Sequence, residues 1–209
     1  KLYLHIIKIE KQMLRKHAGQ SGIPCSAYGS LERDAKPMTR GEMYMKKFGL
    51  DDKAAFEVAK KHREYGRTRA IYEAKQYPDI ESTIRTLKEY GCKLGVATLK
   101  AQGIAETVLK NQDLYSYMDV VVGMNDSETM TKADTIRQAM STLCIANNVL
   151  MVGDSVYDFE GAAKVGVDFI GVLYGFGFKK EDVEFYSSKI EFIREPKELL
   201  NLVTTEIVK

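Results

Sequence analysis

The spacing of apolar residues changes near Tyr77, and the change divides the chain into two stretches. In the first, Ile6, Ile9 and Met13 recur at helical spacing beside Ile7 and Leu14, which predicts an amphipathic helix over Lys1–Gln20, although LYLHII alone also reads as a strand. Residues 19–41 carry Gly, Ser and Pro without periodicity and read as loop. Helical pattern returns over 42–48, breaks at Gly49 and resumes after Asp51, a candidate N-cap for a helix turning Ala55, Phe56, Ala59 and His62 inward. Residues 1–76 therefore read as helical.

From Tyr77-Pro78-Asp79 onward short apolar runs alternate with helical patterns. Asp79 is a candidate cap for a helix that turns Ile80, Ile84 and Leu87 inward and ends at Gly91. Strands are expected over 93–98, 120–123, 149–153 and 169–173, and helices over 101–112, 131–143, from 154 to Val165, and 196–203. Strands and helices alternating at this spacing imply right-handed crossovers and a parallel sheet, so the expected fold class is α/β with a Rossmann-like core over 77–209.

Composition narrows the function classes. A chain of 209 residues, 44% hydrophobic and 29% charged, can bury a core. Its 31 Lys and Arg against 29 Asp and Glu leave a net charge of +2, which gives no reason to expect a nucleic-acid partner. Cys25, Cys92 and Cys144 are far apart and fit reduced thiols, not a disulfide framework or zinc site. With no apolar run of about 18 residues and no leader pattern, the expectation is a cytoplasmic protein without a membrane partner.

The chemistry concentrates where NVLMVGDSVYDFEGA passes from an apolar run to a helix. Val149 to Val152 suit a strand buried on both faces, and Gly153 lets the backbone turn at its carboxyl end, where open α/β sheets bind ligands. Asp154 and Asp158 then stand four residues apart. If Ser155 begins or caps the helix, both carboxylates face one spot, and two close carboxylates repel unless a cation lies between them. Oxygen ligands of this kind favour Mg²⁺ where phosphate is the other ligand. The alternative is a capping Asp followed by a solvated one. Thr98 ends another strand and Lys132 opens a helix. Taken alone they are a cap and a first-turn residue. Together with the acids they form the hydroxyl, ammonium and metal-binding set that phosphoryl transfer needs.

These pieces, YPDI at 77–80, GVATLK at 95–100, Lys132 in TKAD, GDSVYDFEGA at 153–162 and YGFG at 174–177, resemble the haloacid dehalogenase superfamily of phosphatases, and most of all its phosphoglycolate-phosphatase-like branch. The resemblance spans about half the chain. It implies a phosphate-binding hydroxyl at Thr98, a phosphate-binding lysine at Lys132, a principal metal-binding acid at Asp154, and at Asp158 a second acid that assists the metal or orients the lysine. It also implies that residues 1–76 are an α-helical cap beside the core. The expected activity is Mg²⁺-dependent hydrolysis of a small phosphorylated metabolite such as phosphoglycolate, with Lys132 and Asp158 in catalytic roles.

One piece is missing. The family's nucleophile and general acid/base form a DxD motif on the first, central strand. No DxD occurs at this chain's N-terminus, and its first Asp, Asp34, sits in the loop-like ERDAKP. Asp51 and Asp52 are adjacent and read as helix-start residues. Three explanations stay open: a first strand lost upstream of Lys1, a catalytically silent phosphate-binding or interaction protein, or an acid supplied by a second subunit. Loss of the middle strand would expose ladder groups in the core, and Leu2–Ile9 is a candidate to fill that place. A receiver-like domain that accepts phosphate also uses acids at strand ends, but the long helical region and the place of Lys132 speak against it. Arg33, Lys36, Arg40, Arg67 and Arg69 are candidates to meet an anionic substrate, and Tyr174–Gly177 to form a loop beside the site. Neither monomer nor dimer is favoured.

Overall fold

The computed structural model describes residues 3–6, 44–46, 48–65, 68–69, 71–125 and 129–207. Its core is one parallel six-stranded sheet: β1 (Tyr3–Ile6), β2 (Lys93–Ala101), β3 (Val120–Met124), β4 (Val149–Gly153), β5 (Asp168–Val172) and β6 (Glu191–Ile193). The spatial order is β3-β2-β1-β4-β5-β6. This is the doubly wound order, in which the connections reverse direction on either side of β1 and open a crevice at the strands' carboxyl ends.

The central position of β1 corrects the helical reading of Lys1–Gln20 for these four residues. Leu4 pairs with Leu94 on one side and Leu150 on the other, and Ile6 pairs with Val152. Tertiary pairing on both edges overrides a helical spacing read over one short segment. Residues 7–43, with Asp34, Arg33, Lys36, Arg40, His17 and Cys25, lie outside the described residues, as does Arg67.

Five helices cover the sheet between its strands: α2 (Ile80–Glu89), α3 (Gln102–Asn111), α4 (Lys132–Thr142), α5 (Val156–Val165) and α6 (Lys180–Tyr186), and α7 (Glu198–Ile207) ends the described chain. Alternation along β4 divides its side chains between two apolar layers. Val152 joins Ile84, Leu87, Leu94, Val96 and Leu199 in one, and Met151 joins Ala97, Ile136 and Ala162 in the other. Burying each such large aliphatic side chain is worth about 1.5–3 kcal/mol. Helices α2 and α7 pack together, as do α4 and α5.

Several boundaries differ from the sequence reading. Strand β2 runs past Thr98 to Ala101, with a register shift against β3 after Ala97. Asp79 occupies the N-cap position of α2 in a left-handed conformation (φ 62°), and its side chain makes no cap hydrogen bond. Helix α6 and strand β6 were not expected, because each is short. By contrast α5 closes at Gly166 with φ 78°, as the C-cap pattern implies.

By contacts the chain divides into two compact units, Lys1–Ile9 with Lys75–Lys209, and Glu10–Ala74. In the second unit Asp51 caps α1 (Asp52–Tyr65), its Oδ1 accepting from the Ala54 amide at 2.8 Å. Ala55 and Ala59 are buried with Tyr44, while Phe56 is 58% exposed and turns outward, against expectation. Arg69 is exposed. No helix among the described residues is long and apolar enough to cross a membrane.

Candidate functional site

Strand β4 delivers Asp154 to the carboxyl edge of the sheet, and the side chain is 1% exposed there. Its Oδ2 accepts hydrogen bonds from the backbone amides of Phe176 at 2.9 Å and Gly177 at 3.2 Å. These amides belong to the turn that follows β5, so neighbouring strands cooperate to orient one carboxylate. The turn lies very close. A Cβ on Gly175 would run into the Cβ of Asp154, so only glycine allows this approach. Burial, with Tyr77 and Asp154 nearby, pushes the Tyr174 phenol well above its ordinary value.

Ser155 is the N-cap of α5. Its hydroxyl donates to Asp158 Oδ2 at 2.6 Å, and its Oγ accepts from the Asp158 amide at 3.4 Å. The other carboxylate oxygen of Asp158, Oδ1, faces Lys132 Nζ at 2.9 Å, with side-chain exposures of 4% and 10%. Lys132 in turn donates to the carbonyl of Ala97 at 2.9 Å, the residue before Thr98 on β2. The lysine sits in the first turn of α4, fixed by a capping box between Thr131 and Asp134. Its stem lies over Gly161 of α5, where a Cβ would strike Lys132 Cγ. Thr98 is 6% exposed, and its Oγ1 accepts from the Lys100 amide at 3.2 Å.

Thr98, Lys132, Asp154 and Asp158 are thus all buried or nearly so at one edge of the sheet. Lys132 bridges from Asp158 on α5 to the strand that carries Thr98. The two carboxylates are handled differently. Asp154 is held by amides, and Asp158 by a lysine and a hydroxyl. Sequence reading did not find the Ala97 carbonyl or the Phe176 and Gly177 amides, because backbone groups leave no side-chain signal. Ser155 was legible only as a helix cap. Among the described residues no three His, Cys, Asp or Glu side chains cluster as a metal-ligand set.

A doubly wound sheet with a lysine, a hydroxyl and two acids at its carboxyl edge defines an α/β protein with polar groups gathered where such folds bind ligands. A family model described as haloacid dehalogenase-like hydrolase matches residues 34–172, and the chain belongs to that family. It is 30% identical over 142 residues to a 5'-nucleotidase of Pseudomonas aeruginosa, covering 67% of this chain and 64% of that protein. It is 28% identical over 162 residues to a phosphoglycolate phosphatase of Caulobacter vibrioides, covering 75% of this chain and 67% of that protein. The chain therefore spans about two thirds of the length of these relatives. A crystal structure from Clostridium acetobutylicum, described as a predicted phosphatase, superposes with a TM-score of 0.77 at 26% identity, over 98% of this chain and 100% of that one.

Proposed function

We propose that the carboxyl edge of β2 and β4 is a phosphomonoester site. In this reading Thr98 and Lys132 hold the phosphate, Asp154 takes Mg²⁺, Asp158 orients Lys132, and the activity is hydrolysis of a small phosphorylated metabolite. The observation that carries it is the buried Lys132–Asp158 pair, tied to β2 through Ala97 and standing on the same edge as Asp154. A lysine fixed at both ends presents its charge in one direction, which is how phosphoryl-transfer sites obtain most of their catalysis. Thr98 Oγ1 already accepts from Lys100, so its hydroxyl hydrogen is the part that donates to a phosphate oxygen. Phosphoglycolate is the first substrate to try, because the relatives include an enzyme of that name.

Mg²⁺ fits the donor set. The ligands are oxygens, and a cation that takes one or two carboxylates together with substrate phosphate and water needs no closed cage of side chains. Charge asks for one too. The buried ionisable groups named here are two carboxylates and one ammonium, a net charge of −1, which repels a phosphate dianion. When bound at Asp154, Mg²⁺ supplies neutralisation of charge on the phosphate oxygens.

One observation favours a second reading, in which the site binds phosphate and does not turn over. Strand β1 stands at the centre of the sheet, yet the residues after it are Ile7, Lys8 and Ile9, and no DxD occurs anywhere in the chain. An aspartyl-phosphate cannot form on an isoleucine. The test is release of inorganic phosphate from phosphoglycolate and from an aryl phosphate, with and without Mg²⁺, beside Asp154→Ala. Turnover that requires Mg²⁺ and disappears in the variant supports hydrolysis. Absence of turnover from both substrates rejects hydrolysis and leaves the binding reading.

A further inference from the structure

The turn that holds Asp154 has a second contact. Tyr77 packs edge-on against the ring of Tyr174, with centroids 5.1 Å apart, and lies 6.5 Å from that of Phe176. Tyr174 and Phe176 flank Gly175, whose Cα approaches the Asp154 side chain too closely for any other residue. The amides of Phe176 and Gly177 are the ones that bind Asp154 Oδ2. A continuous path therefore runs from the Tyr77 ring, through the Tyr174–Gly177 turn, to one oxygen of a buried carboxylate.

The place of Tyr77 in the chain gives the path a meaning. The helical unit ends at Ala74 and the core resumes at Lys75, so Tyr77 is the third residue of the core after the crossing. It is followed by Pro78, which restricts the backbone, and by Asp79 in a left-handed conformation, so the segment enters α2 along a fixed course. Ahead of it, Gln76 donates to the carbonyl of Gln112 at 2.6 Å, so the segment is tied to the core before Tyr77 as well as after it. The aromatic contacts couple the Tyr77 ring to the turn, because packed rings shift together and do not deform independently.

We propose that Tyr77 is a positioning residue for Asp154, acting through Tyr174 and Phe176 on the amides that orient the carboxylate of the cation site. This rests on the reading of Asp154 given above. Tyr77 is also a partly buried member of the larger apolar cluster, so loss of its ring lowers stability in any case. The test must separate these effects.

Mg²⁺-dependent binding of inorganic phosphate to the full chain is measured by calorimetry for the wild type, Tyr77→Ala, Tyr77→Phe and Leu114→Ala, with urea unfolding of each. Leu114 belongs to the same apolar cluster but sits just after α3. The expected result is that Tyr77→Ala weakens binding by about tenfold, in the range seen when outer partners of a metal ligand are lost. Tyr77→Phe, which keeps the ring, binds as the wild type does. Leu114→Ala loses stability and keeps its affinity. Wild-type affinity in Tyr77→Ala, or an equal loss in Leu114→Ala, overturns the positioning role. Absence of binding in the wild type overturns the cation-and-phosphate reading itself, and the positioning role with it.

Discussion

Lys132 Nζ and Asp158 Oδ1 stand 2.9 Å apart with little of either side chain exposed, so neither charge has water to fall back on. Removing one partner of such a pair leaves the other buried and uncompensated, at about 3–5 kcal/mol. Asp158→Ala is therefore expected to lower unfolding free energy by about 3 kcal/mol or more, while Ser155→Ala, which removes the N-cap of α5, costs about 1 kcal/mol. Adding Lys132→Met to Asp158→Ala should recover part of the loss, and urea unfolding of the wild type, Asp158→Ala, Lys132→Met and the double variant reads the coupling. Additive losses would mean that the pair is not the buried unit described. Gly175→Ala makes a sharper case. A Cβ there meets Asp154, so the variant should fold and lose Mg²⁺-dependent phosphate binding, with circular dichroism and calorimetry as the paired measurements. At this scale the sequence was informative about side chains only. Thr98, Lys132, Asp154 and Asp158 could be picked out by type and spacing. Their partners, a carbonyl and two amides, could not, because every residue carries those groups.

Between elements, Asp119 is the clearest staple. It sits before β3, exchanges backbone and side-chain hydrogen bonds with Leu94 at the start of β2, and accepts from Lys88 of α2 at 2.7 Å. Burial works to raise its pKa, but the hydrogen bonds and charges of Lys88, Leu94 and Lys93 together outweigh that and hold the carboxyl below its ordinary 3.8. A depressed folded value means that the stabilisation is present above the unfolded value near 3.8 and is lost as pH falls through the lower folded value. Asp119→Asn should thus be less stable than the wild type at pH 7 by about 1–2 kcal/mol, and the gap should close below about pH 4. Chemical denaturation at a series of pH values measures it, and a gap that persists at pH 2 contradicts the assignment. The same scale explains what could be read in advance. Strands β4 and β5 and helices α2 and α5 carried both an apolar pattern and a stop signal, and they lie within a residue or two of expectation. Strand β1 did not, because in Leu4 to Ile9 apolar residues fall at both spacings, and only pairing with β2 and β4 decides between them.

For the whole molecule, the position of β1 bears on the missing nucleophile. The central slot is filled by a strand with regular parallel partners on both sides, so the sheet needs no further strand there. The chain has a doubly wound order with Thr98, Lys132, Asp154 and Asp158 at one edge, and Ile7-Lys8-Ile9 follow β1 in the sequence. Binding and turnover thereby become separate properties, since the groups proposed to hold phosphate lie on β2, α4 and β4 and are present. The measurement that tests this most directly is a calorimetric titration of inorganic phosphate into the full chain, with and without Mg²⁺, for the wild type and for Asp154→Ala. The account predicts saturable binding with Mg²⁺, weakened about tenfold or more without it and in the variant. Phosphate that fails to bind the wild type, or binds equally well without both Mg²⁺ and the Asp154 carboxylate, would contradict it.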